Sequence, residues 1–169
     1  MKRAYFAGGC FWCITPVFAE TDGVQRVISG YCGGSEENPT YEMVKHQQTG
    51  HRETICIEYD EEKTGYGALL DLFLNSVDPF DEGGQYIDRG YSYTLAVYWE
   101  TETEHAAALE ALTRLERNAG RAPCVRVEPY RMFWPAEEYH QDYYRKNPEA
   151  FEEELIASGR KKKETAENS

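Results

Sequence analysis

Gly8-Gly9-Cys10-Phe11-Trp12-Cys13 stands almost at the amino terminus, and its reading decides how the rest of the chain is arranged. Before it runs Ala4-Tyr5-Phe6-Ala7, short and apolar, which reads as a strand. After it comes Ile14-Thr15-Pro16-Val17-Phe18-Ala19, which reads as the opening of a helix. Paired glycines let the backbone turn sharply between the two. A cysteine at a strand-to-helix turn faces the free N–H groups of the first helical turn. Those groups favour negative charge, so Cys10 is expected to ionise below the ordinary thiol range near ~8.5. Phe11 and Trp12 are costly to expose unless they line a pocket. The stretch therefore describes a nucleophilic thiolate beside an apolar cage. Pro16 lacks an N–H, so the helix either starts a little after Cys10 or is kinked.

Outward from this turn, Val24 to Tyr31 suits a second strand, and residues 35–40 a polar loop. Tyr41-Glu42-Met43-Val44 reads as a single helical turn. Thr54 to Tyr59 is β-branched and bounded by charge, a third strand. Leu69, Leu70, Phe73 and Leu74 recur at helical spacing within a helix over 66–74. Pro79 to Gly90, rich in acid and glycine, reads as a long loop. Tyr93 to Trp99 is a strand, and Glu102 to Asn118 an amphipathic helix closed by Gly120. Val125 to Glu128 alternates as a strand. Two helices, over 135–144 and 148–157, follow an aromatic loop. This order predicts a two-layer α+β sandwich: a mixed, mostly antiparallel sheet with packed helices, a ferredoxin-like plait. Residues 1–158 form one catalytic domain in this reading. The basic run in 159–169 has no apolar anchor and reads as a mobile tail.

Composition narrows the function. With 169 residues and 41% hydrophobic content, the chain can build a proper core. A formal net charge of −12 argues against a nucleic-acid partner, whose binding surfaces are basic. No apolar run approaches the ~18 residues of a membrane span. The apolar run after Met1-Lys2-Arg3 is too short for a signal-peptide core, so a cytoplasmic location is the expectation. Five cysteines, an odd count in a chain of this size, favour reduced or redox-active thiols over a disulfide framework. Cys32, Cys56 and Cys124 are isolated and the four histidines lack ligand spacing, so no metal is expected. A lone Cys-x-x-Cys at a strand-to-helix turn also suits a thiol–disulfide exchanger.

Further segments follow in order: Gly30-Tyr31-Cys32-Gly33-Gly34, Asn38-Pro39-Thr40-Tyr41, Thr49-Gly50-His51-Arg52-Glu53 and Asp88-Arg89-Gly90-Tyr91-Ser92-Tyr93. Phe133-Trp134-Pro135-Ala136-Glu137-Glu138-Tyr139-His140-Gln141-Asp142-Tyr143-Tyr144 completes the set. With Gly9-Cys10-Phe11-Trp12, these resemble the A-type peptide methionine sulfoxide reductases in order and spacing, over about residues 4 to 160.

The resemblance implies that Cys10 is the nucleophile. It implies that Phe11 and Trp12 hold the methyl group on the sulfoxide sulfur and that Glu53 is the acid serving the sulfoxide oxygen. Tyr41 and Tyr93 would bind the same oxygen, with Asp88 a supporting carboxylate. The implied substrate is methionine sulfoxide, free or in proteins, in its S epimer. No cofactor is implied, and thioredoxin or a similar dithiol would restore the enzyme. The chain departs from the resemblance in two places. Cys13-Ile14-Thr15 stands where many members carry glycine, a short residue and glutamate, and residues 159–169 hold no recycling cysteine. Cys13, one helical turn from Cys10, is then the first choice to resolve the sulfenic acid, with Cys32 second and an external thiol third. His140 is expected to be a structural hydrogen-bonder rather than a base. Two other readings stay open: a thiol–disulfide oxidoreductase using Cys10 and Cys13, and a redox-sensing or metal-storing module.

Overall fold

The computed structural model describes residues 1–158 and 160. Apart from Arg160, the tail expected to be mobile lies outside the described residues. Five strands come from the extended, β-branched stretches of the sequence: β1 (Lys2–Gly8), β2 (Val24–Cys32), β3 (Arg52–Tyr59), β6 (Leu95–Trp99) and β7 (Val125–Pro129). A sixth, β8 (Phe133–Pro135), joins them in one sheet of order β7-β6-β1-β3-β2-β8. Its central part, β6-β1-β3-β2, is antiparallel throughout. With the helices α1 (Phe11–Ala19) and α3 (Tyr66–Ser76), it forms the expected βαββαβ plait. Helix α4 (Glu102–Ala119) then carries the chain across to β7, which pairs parallel to β6.

Alternation along the strands gives the sheet two apolar faces. Ala4 and Phe6 of β1 join Ile55, Ile57 and Tyr31 under the helices, where Phe11, Ile14, Phe18, Leu69, Leu70 and Phe73 pack down on them. The intervening residues, Tyr5, Ala7, Cys32, Cys56, Ala96 and Tyr98, form a second cluster on the far face, closed by Phe133 and Tyr130. Tyr5 and Tyr130 stack there with centroids 4.2 Å apart. Helix α4 is capped as its sequence suggests: Thr101 Oγ1 accepts the Glu104 N–H at 3.1 Å, and Gly120 takes the left-handed conformation at φ 75°.

Three expectations need correction. Tyr93 does not open a strand: Tyr91–Tyr93 is a 3-10 turn, and β6 begins only at Leu95. The loop over 79–90 contains a small hairpin of β4 (Gly84–Gln85) and β5 (Asp88–Arg89). The helix expected over 135–144 is broken into pieces. Pro135 ends β8 at the sheet edge, where its missing N–H is tolerated. A 3-10 turn at Glu138–His140 follows, then Asp142 turns left-handed at φ 52° before α5 (Tyr143–Lys146). Gln141 holds this broken path, accepting from Ser29 N at 2.9 Å and donating to Ser29 O at 2.9 Å. Two more helices, α2 (Tyr41–Lys45) and α6 (Pro148–Ala157), complete the described chain.

Candidate active site

Gly9 adopts φ +87°, and a Cβ there would meet Gln85 Cβ at 2.9 Å, so the turn after β1 requires glycine. The turn delivers Cys10 to the N-cap position of α1 with φ −58° and ψ 120°. Helix α1 starts at Phe11, and Pro16 lies inside it. Its Cys13 N–H donates to Cys10 O at 3.1 Å. The two thiols are free and hydrogen-bonded to each other, with Cys10 buried and Cys13 partly open.

This pair corrects the expectation of an acidic Cys10. The bond to Cys13 and burial, with a smaller part from charge on Cys13, Glu53 or Asp88 where these ionise, hold the Cys10 thiol well above its ordinary range. Cys13 moves the other way: the bond from Cys10 favours its thiolate, burial opposes, and the charge of Arg160 assists. The first N–H of the helix does not serve Cys10 either. Phe11 donates it to Glu53 Oε1 at 3.2 Å.

Glu53 reaches this point because residues alternate along β3. Arg52 turns to the far face, where it donates to Tyr98 Oη at 3.0 Å, Glu128 Oε2 at 3.2 Å and Thr94 Oγ1 at 2.8 Å. Glu53 turns to the helix side and is 1% exposed. Burial dominates its titration and pushes its pKa up to about 8, against the Phe11 N–H and the Tyr93 hydroxyl, which favour the anion. At neutral pH the carboxyl carries its proton.

The tyrosines are set by bonds distant in sequence. Glu137 Oε2 accepts from the Tyr41 backbone N–H at 3.1 Å, and its Oε1 accepts from Tyr31 Oη at 2.9 Å. Gln47 clamps the 3-10 turn carrying Tyr93, donating to Ser92 Oγ and accepting from Ser92 N–H, both at 2.9 Å. Burial first, then the nearby Glu53 carboxyl, raises both Tyr41 and Tyr93, so each hydroxyl keeps its hydrogen. Phe11 is fully buried and forms the wall beneath the site, with the Tyr41 and His140 rings 6.4 and 5.2 Å from it. Trp12 is the partly open member, stacked on Tyr143 with centroids 4.1 Å apart. His140 makes a hydrogen bond of the expected kind, its Nδ1 accepting from the Trp12 indole at 2.9 Å.

Asp88 sits at the hairpin, near the pair, and Arg160 Nη1 donates to its Oδ2 at 3.0 Å. A cleft of about 420 Å³ opens beside Cys13, lined by Pro16, Val17, Tyr86, Phe151, Leu155 and Arg160 among others. Thr15, at the glutamate position of the resemblance, turns inward and donates to Phe11 O at 2.7 Å. Cys32 is placed differently from its second-choice role: it is fully buried in the far-face cluster, where desolvation pushes it up to about 12. Glu137, Gln85 and Arg160 were missed by sequence reasoning. Glu137 lay within a quoted motif, whereas nothing in a basic, apolar-poor tail marks Arg160. Among the described residues, no three His, Cys, Asp or Glu side chains converge on a metal position. No helix among them is long and apolar enough to cross a membrane.

Comparison with known proteins gives a consistent result. A family described as peptide methionine sulfoxide reductase matches residues 2–169. "Peptide methionine sulfoxide reductase MsrA 2" of Lactococcus lactis is 45% identical over 152 residues, covering 89% of this chain and 88% of the relative. Reduced Mxr1 of Saccharomyces cerevisiae superposes with a TM-score of 0.82 at 25% identity, over 88% of this chain and 86% of that one. Mxr1 in complex with Trx2 shares the fold at a TM-score of 0.56 and 16% identity, over 84% of each chain.

Proposed function

Since this chain belongs to the peptide methionine sulfoxide reductase family, we propose that its 1–158 domain reduces methionine sulfoxide to methionine through the sulfur of Cys10. The reduction itself follows from the family; the roles of the individual residues are our reading. The observation that carries it is Glu53, a buried carboxyl protonated at neutral pH beside a reduced cysteine. A proton held at that depth serves a reaction in which an oxygen must be protonated as it leaves sulfur.

Cys10 passes its proton to Cys13 and attacks the sulfoxide sulfur while Glu53 protonates the oxygen. The protonated oxygen leaves the substrate sulfur and bonds to the Cys10 sulfur as the transient bond between the two sulfurs breaks, so methionine departs and Cys10 becomes a sulfenic acid with Glu53 ionised. Tyr41 and Tyr93 hold the oxygen with neutral hydroxyls, and Asp88 supports the site from the hairpin. Trp12, over the Phe11 wall, takes the methyl group. The Cys13 thiol then attacks Cys10, forming the disulfide and releasing water. A dithiol of the thioredoxin class reduces that disulfide, as the complex of the yeast relative with Trx2 suggests.

The substrate is the S epimer, free or in proteins, and the setting is the cytoplasm, where a reduced pool keeps thiols free. The sulfoxide reading is favoured over general disulfide exchange because such exchange has no use for a protonated carboxyl beside the nucleophile. Turnover of the two sulfoxide epimers with dithiothreitol tests it. Methionine should form from one epimer only, and reduction of neither would reject the assignment.

A further inference from the structure

We propose that Arg160 is a positioning residue for the thiol pair, its buried guanidinium standing on the Cys13 side of the pair to meet negative charge that forms there. Beyond α6, Arg160 stands over the turn that carries Cys10. Its side chain is 12% exposed, donates from Nη1 to Asp88 Oδ2 at 3.0 Å, and lies over the Tyr86 ring at 4.9 Å. The other terminal nitrogen, Nη2, is buried and makes no hydrogen bond among the described residues. It lies 3.5 Å from where a Cβ of Gly9 would stand, so the glycine next to Cys10 leaves room for the guanidinium. Arg160 and Cys13 line the same cleft. A buried guanidinium with a spare donor is costly unless negative charge lies close by. Asp88 supplies part of that charge, and a thiolate on Cys13 is the partner left for the rest.

The groups facing Cys13 divide clearly by sign. Cys10 on its own helix, Asp88 on β5, Glu53 on β3, Glu154 on α6 and Tyr143 on α5 all carry or can carry negative charge. Glu20 adds another carboxylate at the edge of the cleft. Among the described residues, Arg160 is the cation acting on Cys13, and it favours the thiolate while Asp88 and Glu154 oppose it. Its consequence is an order of events. A thiolate met by Arg160 on Cys13 can accept the Cys10 proton when Cys10 attacks.

This inference rests on Cys10 and Cys13 being the reacting pair, and its test reads ionisation of Cys13 without any turnover. The rate of Cys13 alkylation by iodoacetamide is measured against pH by peptide mapping in the full-length wild type, Arg160→Met, Arg160→Lys and Asp88→Asn. Cys13 should be the fastest-reacting cysteine of the wild type, with a midpoint below the ordinary thiol value. Arg160→Met should raise that midpoint by about one unit, slowing reaction at pH 7 about tenfold, the low end for loss of an adjacent opposite charge. Arg160→Lys should return the rate to within about threefold, because a point charge suffices. Asp88→Asn should lower the midpoint, and this variant carries the test if Arg160→Met does not fold. A profile unchanged in folded Arg160→Met, a lysine variant matching the methionine one, or a raised midpoint in Asp88→Asn would each overturn the proposal. Failure of sulfoxide turnover with these profiles intact would instead count against the reaction assignment.

Discussion

The Trp12 indole N–H donates to Nδ1 of His140 at 2.9 Å, joining two residues 128 positions apart. The bond fixes the histidine tautomer, with the hydrogen on Nε2, and keeps the ring neutral. Burial lowers the His140 pKa from its ordinary value, partly offset by Glu137. It also ties the partly open wall of the site to the broken segment between β8 and α5. The turn that carries Cys10 and the segment from β8 to α5 therefore form one structure, and the expected consequences can be measured.

Trp12→Phe keeps the ring stack and removes the donor from His140. Loss of one partner of a part-buried bond costs about 1–3 kcal/mol, which lowers the melting temperature by roughly 2–12 °C in a chain of this size. The sulfoxide KM should rise as well. The neutral ring adds a pH dependence in the wild type. With a folded pKa below the unfolded one, its contribution is complete above about 6.5. It is lost as pH falls through the folded pKa. Melting curves at pH 5 and 7.5, together with KM, check both points.

Glu53→Gln should slow the first chemical step by about 10²–10⁴-fold, with little change in binding. In the wild type, single-turnover rates should fall as pH rises through about 8, where Glu53 loses its proton. The variant should lack that limb. Stability should respond with the opposite sign to that of a salt-bridged acid. A folded pKa raised above the unfolded value gives a contribution present below the unfolded pKa and lost as pH rises through about 8. Glu53→Gln should therefore stabilise the protein more at pH 8.5 than at pH 4. Single-turnover rates insensitive to the substitution would make Glu53 structural.

Cys10→Ser should abolish methionine formation even in a single turnover, because a serine hydroxyl cannot take up oxygen as a sulfenic acid. The fold should survive, since one atom changes at a helix N-cap position. A single-turnover yield of methionine near one equivalent would refute the role given to this sulfur.

Cys13→Ser should still release one equivalent of methionine per enzyme without reductant, yet lose turnover with thioredoxin. The wild type treated with sulfoxide alone should show a Cys10–Cys13 disulfide by mass spectrometry. Cys32 should stay reduced, because it packs on the opposite face of the sheet with its thiol pushed up to about 12. A Cys10–Cys32 link would displace Cys13 from the resolving role.

The sequence by itself determined the frame. Alternating apolar strands and helices with 3.6-residue periodicity specify the plait because each buries one face locally. The glycine-cysteine turn was legible for the same reason, since Gly9 at φ +87° admits no side chain. Period-2 alternation also implied that Arg52 and Glu53 part company, although not which of the two would be buried beside Cys10. Tertiary structure decided the electrostatics and the breaks. Proximity to a helix start suggested an acidic Cys10, but the Phe11 N–H goes to Glu53, and the bond to Cys13 together with burial outweighs what remains. Continuous helix over 135–144 gave way to sheet pairing by Phe133–Pro135 and to the Gln141 bonds with Ser29. Arg160 joins the site only because α6 folds back over the turn. A charge acts through distance in space, and the chain brings residue 160 beside residue 13 by packing that no local pattern records.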